Sequence, residues 1–515
     1  MKYRIFIITV LITTIIYVGC DTDILDVKPT ESVAVDDFFT TESEAMQAIN
    51  ATYASLQDRN MYSEGYPKIV EGASDDMILD NTDNLDLSSY TWNASGSRFD
   101  AVWQESYEGI FRANLVIQNV PEIENMDESL KGRVIAEARF LRAMFYWHLL
   151  NTFGEVPLVL NANPADPSEA ALPKSSSLDL IDQMVTDLTE AISGLPANYD
   201  SGNIGRATEG AAKALLGKVH LYSASPIYGG RAEGYELAAQ QFESVINDYT
   251  YQLVNYEDLW VVDNNAENIF EVQYASIGGS IWTTTDNSNA NETQIRPALN
   301  LPNGRGGNGN LVPTESLVNE FLVESYDGPD PEGIYNNADP RLYYTVWREG
   351  DFFDDQEPTY QTTWSPTGFS LKKGLFPVKD RNEDGDDWNV PVIRLGDVYL
   401  MYAEALNSKS SRDSQGAIDA INAVRSRVNM PTYPNPNSPY SVDATSSEEE
   451  IFEAIVHERR IELGGEYARY NDLRRWEIAD EVMGPLGWQH PKHTFFPIPA
   501  DELDNNDQLE QNPNY

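Results

Sequence analysis

Along most of this chain, apolar residues return every three or four positions, the spacing of one helix face. In "TESEAMQAINATYASLQD", Ala45, Ile49, Thr52 or Tyr53, and Leu56 share a stripe behind a Thr/Ser cap, which predicts the first helix. From Arg133 to Leu150 a longer stripe holds Val134, Ala138, Leu141, Phe145 and Leu149, and Gly154 and Pro157 end it. Two later segments, "LLGKVHLYSA" (215–224) and "RLGDVYLMYA" (394–403), match at an offset of 179 residues through Leu216/Leu395, Gly217/Gly396, Val219/Val398, Leu221/Leu400 and Ala224/Ala403. The register carries into a second helix, pairing Ala238 with Ala417, Phe242 with Ile421 and Val245 with Val424. Each copy therefore reads as a helix, a connection and a second helix whose small residues permit close packing. Chance agreement between two amphipathic helix pairs is the alternative.

Each copy resembles a tetratricopeptide helix hairpin with a lengthened connection, in which Leu-Gly and Tyr on the first helix meet Ala and a large apolar residue on the second. Between the copies, from about Tyr249 to Val390, short apolar runs alternate with Gly, Pro, Asn and Asp, as in "LPNGRGGNGN", which predicts a loop-rich stretch. A second loop region, "SDDMILDNTDNLDLSSYTWNASGS" (74–97), lies between the early helices. Loops of such length in a compact domain usually carry function, and the hairpins supply the frame.

The N-terminus changes the picture of where the protein works. Lys2 and Arg4 precede an apolar run from Ile5 to Val18, closed by Gly19 and Cys20, which reads as an export signal over residues 1–19. The run is shorter than the roughly 20 apolar residues of a spanning helix, so it targets rather than spans. Cys20 is the only cysteine, and a small residue followed by Cys is what a bacterial lipoprotein peptidase accepts. Cys20 is thus expected to become the lipidated first residue, its acyl chains contributing about 0.8 kcal/mol per buried methylene. An ordinary secreted protein with a stray cysteine is the alternative. With no second cysteine, disulfides and thiolate metal sites are excluded, and stability must come from a large core. The 82 acidic against 35 basic residues give a formal charge of −47, which argues against nucleic acid, anionic lipid and polyanionic ligands.

At "AEARFLRAMFYWHLLNTFGEVPLV" (136–159) the sequence resembles the SusD/RagB family of surface glycan-binding lipoproteins of the Bacteroidetes phylum. Further pieces follow in the family's order: "LDVKPTESVAVDDFFTTESEAMQAINATY", "NLVIQN", "DPRLYYTV" (339–346), "VIRLGDVYLMYAEALN", "HERRIELGGEYARYNDLRRW" (457–476) and "FFPIPADELDNNDQLEQNPNY". The clearest departure is "YARY", Tyr467 to Tyr470, where the family more often has a glycine ahead of the arginine, a difference that touches packing more than function. The resemblance implies a mainly α fold. Residues 20–515 would form a single domain, a 20–340 segment followed by a C-terminal segment from about 341 to 515, with four tetratricopeptide-like helix pairs on one side and an irregular, loop-rich half on the other. It also implies a cell outer-membrane lipoprotein that binds oligosaccharide or polysaccharide and delivers it to a SusC-like TonB-dependent transporter.

Sugars present apolar C–H faces ringed by hydroxyls, so a binding surface needs flat aromatic rings with Asn, Asp, Arg or Gln nearby. Trp92 with Asn93, Trp282 and Trp364 stand in loops among small polar residues, and Asp75, Tyr90 and Arg98 share the loop of Trp92. Each of these Trp residues either stacks on sugar or plugs its loop into the core. Trp92 leads because, by the resemblance, family glycan sites are often built from loop aromatics near its position. Trp103, Trp147 and Trp476 lie on helical stripes and are assigned to the core. In "DRNEDGDDWNV", Asp380, Asn382, Asp384 and Asp386 alternate as oxygen ligands do around Ca²⁺, but Pro391 replaces the closing Glu of an EF-hand. A simpler structural Ca²⁺ loop and an unliganded acidic turn are both compatible with it.

Catalysis is not indicated. "HPKH" (490–493) lacks the Glu and spacing of a zinc protease, no G-x-S-x-G occurs, and "NGRGGNGN" lacks the Lys-Ser/Thr of a phosphate loop. The expected function is non-enzymatic capture of a neutral glycan with no required cofactor; the alternatives are a carbohydrate-active hydrolase and a peptide-binding member of the same family.

Overall fold

A computed structural model describes residues 38–79, 85–162, 171–275, 293–330, 333–355, 358–375, 377–378 and 387–515. Cys20, Trp282, Asp380, Asn382, Asp384 and Asp386 lie outside the described residues. The chain is mainly helical. Helix α1 (Glu42–Gln57) opens with a capping box in which Thr41 and Glu44 satisfy each other's backbone N–H groups. It is followed by α2 (Gly65–Gly72), α3 (Ser97–Asn119) and α4 (Glu128–Phe153). The predicted stripe of α4 widens to near-complete burial in its last five turns, and Gly154 at φ 73° ends it. Helices α5 (Ser177–Gly194), α6 (Glu209–Ser223) and α7 (Gly234–Asp248) continue the succession, each packed on the one before.

The two repeat copies are the pairs α6–α7 and α10–α11, with α10 at Leu395–Ser408 and α11 at Ser414–Arg427, and α7 packs directly on α10. The repeated glycine has two different uses. A Cβ on Gly217 would lie 2.6 Å from the Phe242 ring, so glycine sets the approach of α6 to α7. On Gly396 it would press on Arg394, Glu267 and Glu462 instead, so the second copy spends the same space on charge.

The stretch between the copies is not continuous loop. It holds most of a set of short strands that pair at long range: β1 (Met77–Leu79), which precedes the first copy, with β3 (Leu311–Pro313), β2 (Asn268–Val272) with β6 (Val390–Arg394), and β4 (Val346–Trp347) with β5 (Ser370–Leu371). All three pairs are antiparallel, with Ile78 opposite Val312 and Phe270 opposite Ile393. Short helices α8 (Glu315–Glu320) and α9 (Arg341–Thr345) lie among them.

Helix α12 (Glu448–Leu463) ties these parts together. Its buried face carries Ile451, Ala454, Ile455 and Ile461, but also Glu458 and Glu462. Arg341, with 0% of its side chain exposed, donates to Glu458 at 2.6 Å and Glu462 at 3.0 Å and forks onto Asp339 at 2.7 and 2.9 Å. Arg394 reaches Glu462 and Glu466 at 2.6 Å and Glu267 at 3.0 Å, and Arg427 joins Glu267 and Glu462. Burial opposes charge on Glu462, yet the guanidinium groups of Arg427, Arg394 and Arg341 hold its carboxyl well below the usual carboxylate range. At the helix's other flank, His457 contacts Glu320 at 2.5 Å and stacks on Tyr440.

After α12 the chain turns sharply through Gly465 at φ 79° and Tyr467 at φ 66° before α13 (Arg469–Arg475). A positive φ costs a bulky residue steric energy. Here the conformation is held by the Glu71 carboxylate, which accepts the Tyr467 N–H at 2.5 Å, and by Arg296, which donates to the Tyr467 hydroxyl at 2.9 Å.

Glu71 is itself buried, and burial pushes its carboxyl up to about 7, with Asp76 adding to the shift and the Tyr467 N–H, Arg296 and Lys373 opposing it. Because the folded value lies above the unfolded one, this group's contribution to stability is complete below about 4.5 and is lost as pH rises through about 7. Glu71→Gln is expected to remove that loss. Between about pH 5 and pH 8 the variant should gain roughly 3 kcal/mol on the wild type, read from denaturation curves across pH, and parallel curves would contradict the assignment.

Candidate functional site

The structure turns the loop of residues 85–97 inward rather than outward. Trp92 is only 1% exposed, its indole tilted against His493 at 4.7 Å, Phe496 at 5.2 Å and Tyr90 at 5.3 Å, and its Nε1 donates to the Tyr515 hydroxyl at 2.7 Å. This corrects the expectation that Trp92 leads a sugar platform, because its faces are taken by protein. Tyr90 is also buried, at φ 56°, with its hydroxyl donating to the Ala73 carbonyl at 2.7 Å. Asp75 is not free for a ligand either: Arg460 and Arg469 each donate to it at 2.8 Å, and their charges outweigh burial to hold it below the usual carboxylate range. Arg98 forks onto Asp86 with two bonds of 2.8 Å. Asn93 alone of this group is exposed, its Oδ1 accepting the Ser95 N–H at 2.9 Å.

Trp364 answers the prediction differently. It ends a single turn, Thr362–Trp364, in which no residue is buried. Phe353 and Tyr360 meet its ring edge-on at 5.2 Å each, and Tyr360 lies parallel to the fully buried Trp347 at 6.5 Å. Trp347, Phe353 and Tyr360 thus form a rigid base that fixes the Trp364 indole. The Arg305 guanidinium lies 4.6 Å from the centre of that indole, brought there by the loop in which Gly304, Gly306 and Gly309 all have positive φ. Asn303, Asn308, Gln361, Thr362 and Thr363, neighbours of Arg305 or Trp364 along the chain, are exposed, and Phe352 is 42% exposed. A half-buried indole with a guanidinium beside it, and exposed amides and hydroxyls on the same chain segments, offers the kinds of group that meet the apolar faces and hydroxyls of sugars.

Sequence reasoning found Trp364 but missed Arg305, Phe352 and the supporting Trp347, which are separated from it by up to 59 residues. The glycines around Arg305 were the available signal: they mark a loop whose backbone must turn, and hence an arginine held in place. Among the described residues, no group of three or more His, Cys, Asp or Glu side chains is arranged to hold a metal ion, and no helix is long and apolar enough to cross a membrane.

Two family models match the chain: one described as "SusD family" over residues 266–515, and one described as "Starch-binding associating with outer membrane" over residues 23–221. A SusD-like protein of Bacteroides ovatus is 28% identical, the match covering 92% of this chain and 83% of the relative. The starch-binding protein SusD of Bacteroides thetaiotaomicron is 24% identical, with 85% of this chain and 82% of the relative covered. Among solved structures, a laminarin-binding SusD-like protein superposes with a TM-score of 0.76 at 29% identity, covering 92% of this chain and all of its own.

Proposed function

From the premise that the chain belongs to the SusD family, we propose that it binds neutral polysaccharide or oligosaccharide at the outer membrane and passes it to a SusC-like TonB-dependent transporter. The observation that carries this reading is the Trp364–Arg305 plate on its aromatic base. The starch-binding description of the matched model and the laminarin-binding neighbour favour a glucan-type ligand, and the formal charge of −47 favours a neutral one. On this reading the frame is four tetratricopeptide-like helix pairs, among them α6–α7 and α10–α11. Cys20 carries the lipid anchor, Asn93 and Trp282 are further candidates for sugar contact, and Asp380, Asn382, Asp384 and Asp386 hold a structural Ca²⁺. Binding proceeds without bond cleavage.

Affinity electrophoresis and calorimetry against a polysaccharide panel that includes laminarin and starch test the proposal. Retarded migration without new reducing ends is the expected result. Trp364→Ala should then weaken binding by about 1–3 kcal/mol, the range for loss of an aromatic anchor. Release of reducing ends would favour a hydrolase, and heat with oligopeptides but none with sugars would favour peptide capture; either would displace this reading.

A further inference from the structure

The contact between Arg305 and Trp364 joins two unlike supports. Trp364 is held from the protein side: Phe353 and Tyr360 meet its ring, its backbone N–H donates to the Gln361 carbonyl at 3.0 Å, and the Thr362 N–H that opens its turn donates to Glu349 at 2.7 Å. Arg305 stands at the tip of a loop whose neck is fixed, where the N–H groups of Asn308, Gly309 and Asn310 donate to the carbonyls of Ala298, Leu301 and Leu299 at 3.0, 2.8 and 2.8 Å. Gly304 and Gly306, both with positive φ, lie on either side of it, and a Cβ on Gly304 would meet nothing within 4 Å. Of the two partners, the arginine is therefore the one with backbone pivots and open space beside it.

The guanidinium lies over the surface that a sugar would use. Its centre is 4.6 Å from the middle of the indole, and a pyranose stacked on the same face would need its carbons about 3.5–4.0 Å from the ring. The two cannot share that face. The ring's quadrupole holds the cation there, and at a half-exposed position such a contact favours the covered state about two- to fivefold. Arg305 Nη1 donates at 2.9 Å to the carbonyl of Gly304, its own neighbour, so that bond travels with the loop tip.

We infer that Arg305 is a removable cover: it occupies the Trp364 face in the ligand-free protein and is displaced by the ring that stacks there. The inference rests on the glycan reading for the nature of that ring, and it gives Arg305 the opposite sign to a residue that grips sugar. A protein that is covered most of the time binds with its affinity lowered by the fraction that is open.

Affinity electrophoresis and calorimetry with laminarin and starch, on the full chain, test it. Arg305→Ala should bind whichever of the two retards the wild type about three- to sixfold more tightly, and Arg305→Lys should fall between. The gain should vanish when Trp364→Ala is added, since the two residues act on one face. Arg305 is half-exposed on a loop, and an unchanged melting temperature would show that the variants are folded. Weaker or equal binding by Arg305→Ala, or a gain that persists without Trp364, would overturn the inference and leave glycan capture standing. With neither glycan retarded by any variant, the capture reading would fall, and fluorine NMR of the fluorotryptophan-labelled chain would decide the cover by itself. The Trp364 signal, identified by its loss in Trp364→Phe, should be relaxed more strongly by a soluble paramagnetic probe in Arg305→Ala than in the wild type; equal relaxation would mean that the guanidinium covers nothing.

Discussion

Arg341→Met is expected to destabilise the protein by about 3–5 kcal/mol, the largest single effect foreseen for a charged side chain here. The guanidinium is wholly buried and faces Asp339, Glu458 and Glu462. Deleting one partner of a buried pair leaves the others charged in a medium that solvates them poorly, and here three carboxylates would be left facing one another. Arg425 still pairs with Glu458, and Arg394 and Arg427 still pair with Glu462, so the network loosens around α9 rather than dissolving. Arg341→Lys should recover part of the loss, since it restores charge but not the fork onto Asp339. The measurement is the shift of the urea midpoint at an unchanged slope. A shift corresponding to less than about 1 kcal/mol would mean that the network is solvated and that α12 is held by its apolar face alone.

Trp92→Ala should cost about 3–5 kcal/mol of stability, the range for truncating a large buried aromatic, and should leave glycan affinity unchanged. The indole is packed among Tyr90, His493 and Phe496 and anchored to Tyr515, so its removal opens a cavity and strips a hydrogen bond from the C-terminal residue. Trp92→Phe should lie between, keeping part of the packing and losing the Nε1–H donor. The decisive comparison is with Trp364→Ala, for which the order reverses: affinity falls and the melting temperature barely moves. A variant of Trp92 that folded as well as wild type but lost sugar binding would return this residue to the ligand surface.

The helices were legible because their evidence is local. The stripe of Val134, Ala138, Leu141, Phe145 and Leu149 is buried as its spacing requires, and the repeat at 215–224 and 394–403 lies on paired helices. Ala238, Phe242, Ala417 and Ile421 are all buried, as the shared register implies. The candidate site was legible only in part. Trp92 and Trp364 sit in similar polar, small-residue contexts, and what separates them is distant chain: His493, Phe496 and Tyr515 cover the first, while among the described residues Arg305 lies over the face of the second and Phe353 and Tyr360 meet it edge-on. No window around either tryptophan contains that information. Asp75 misled for the same reason, since Arg460 and Arg469, which neutralise it, lie almost 400 residues away. In the charge-rich run "HERRIELGGEYARYNDLRRW" most of the ionic groups are interior. Glu458 and Glu462, one helical turn apart and both fully buried, were the sign that this surface is covered.

The bond from Trp92 to Tyr515 and those from Asp75 and Asp76 to Arg460 and Arg469 span between 384 and 423 residues. Such closures are slow to form and come late. Until those late residues are made, the indole lacks its cover and the early aspartates lack the cations that neutralise them, so this part of the interior is among the last to close.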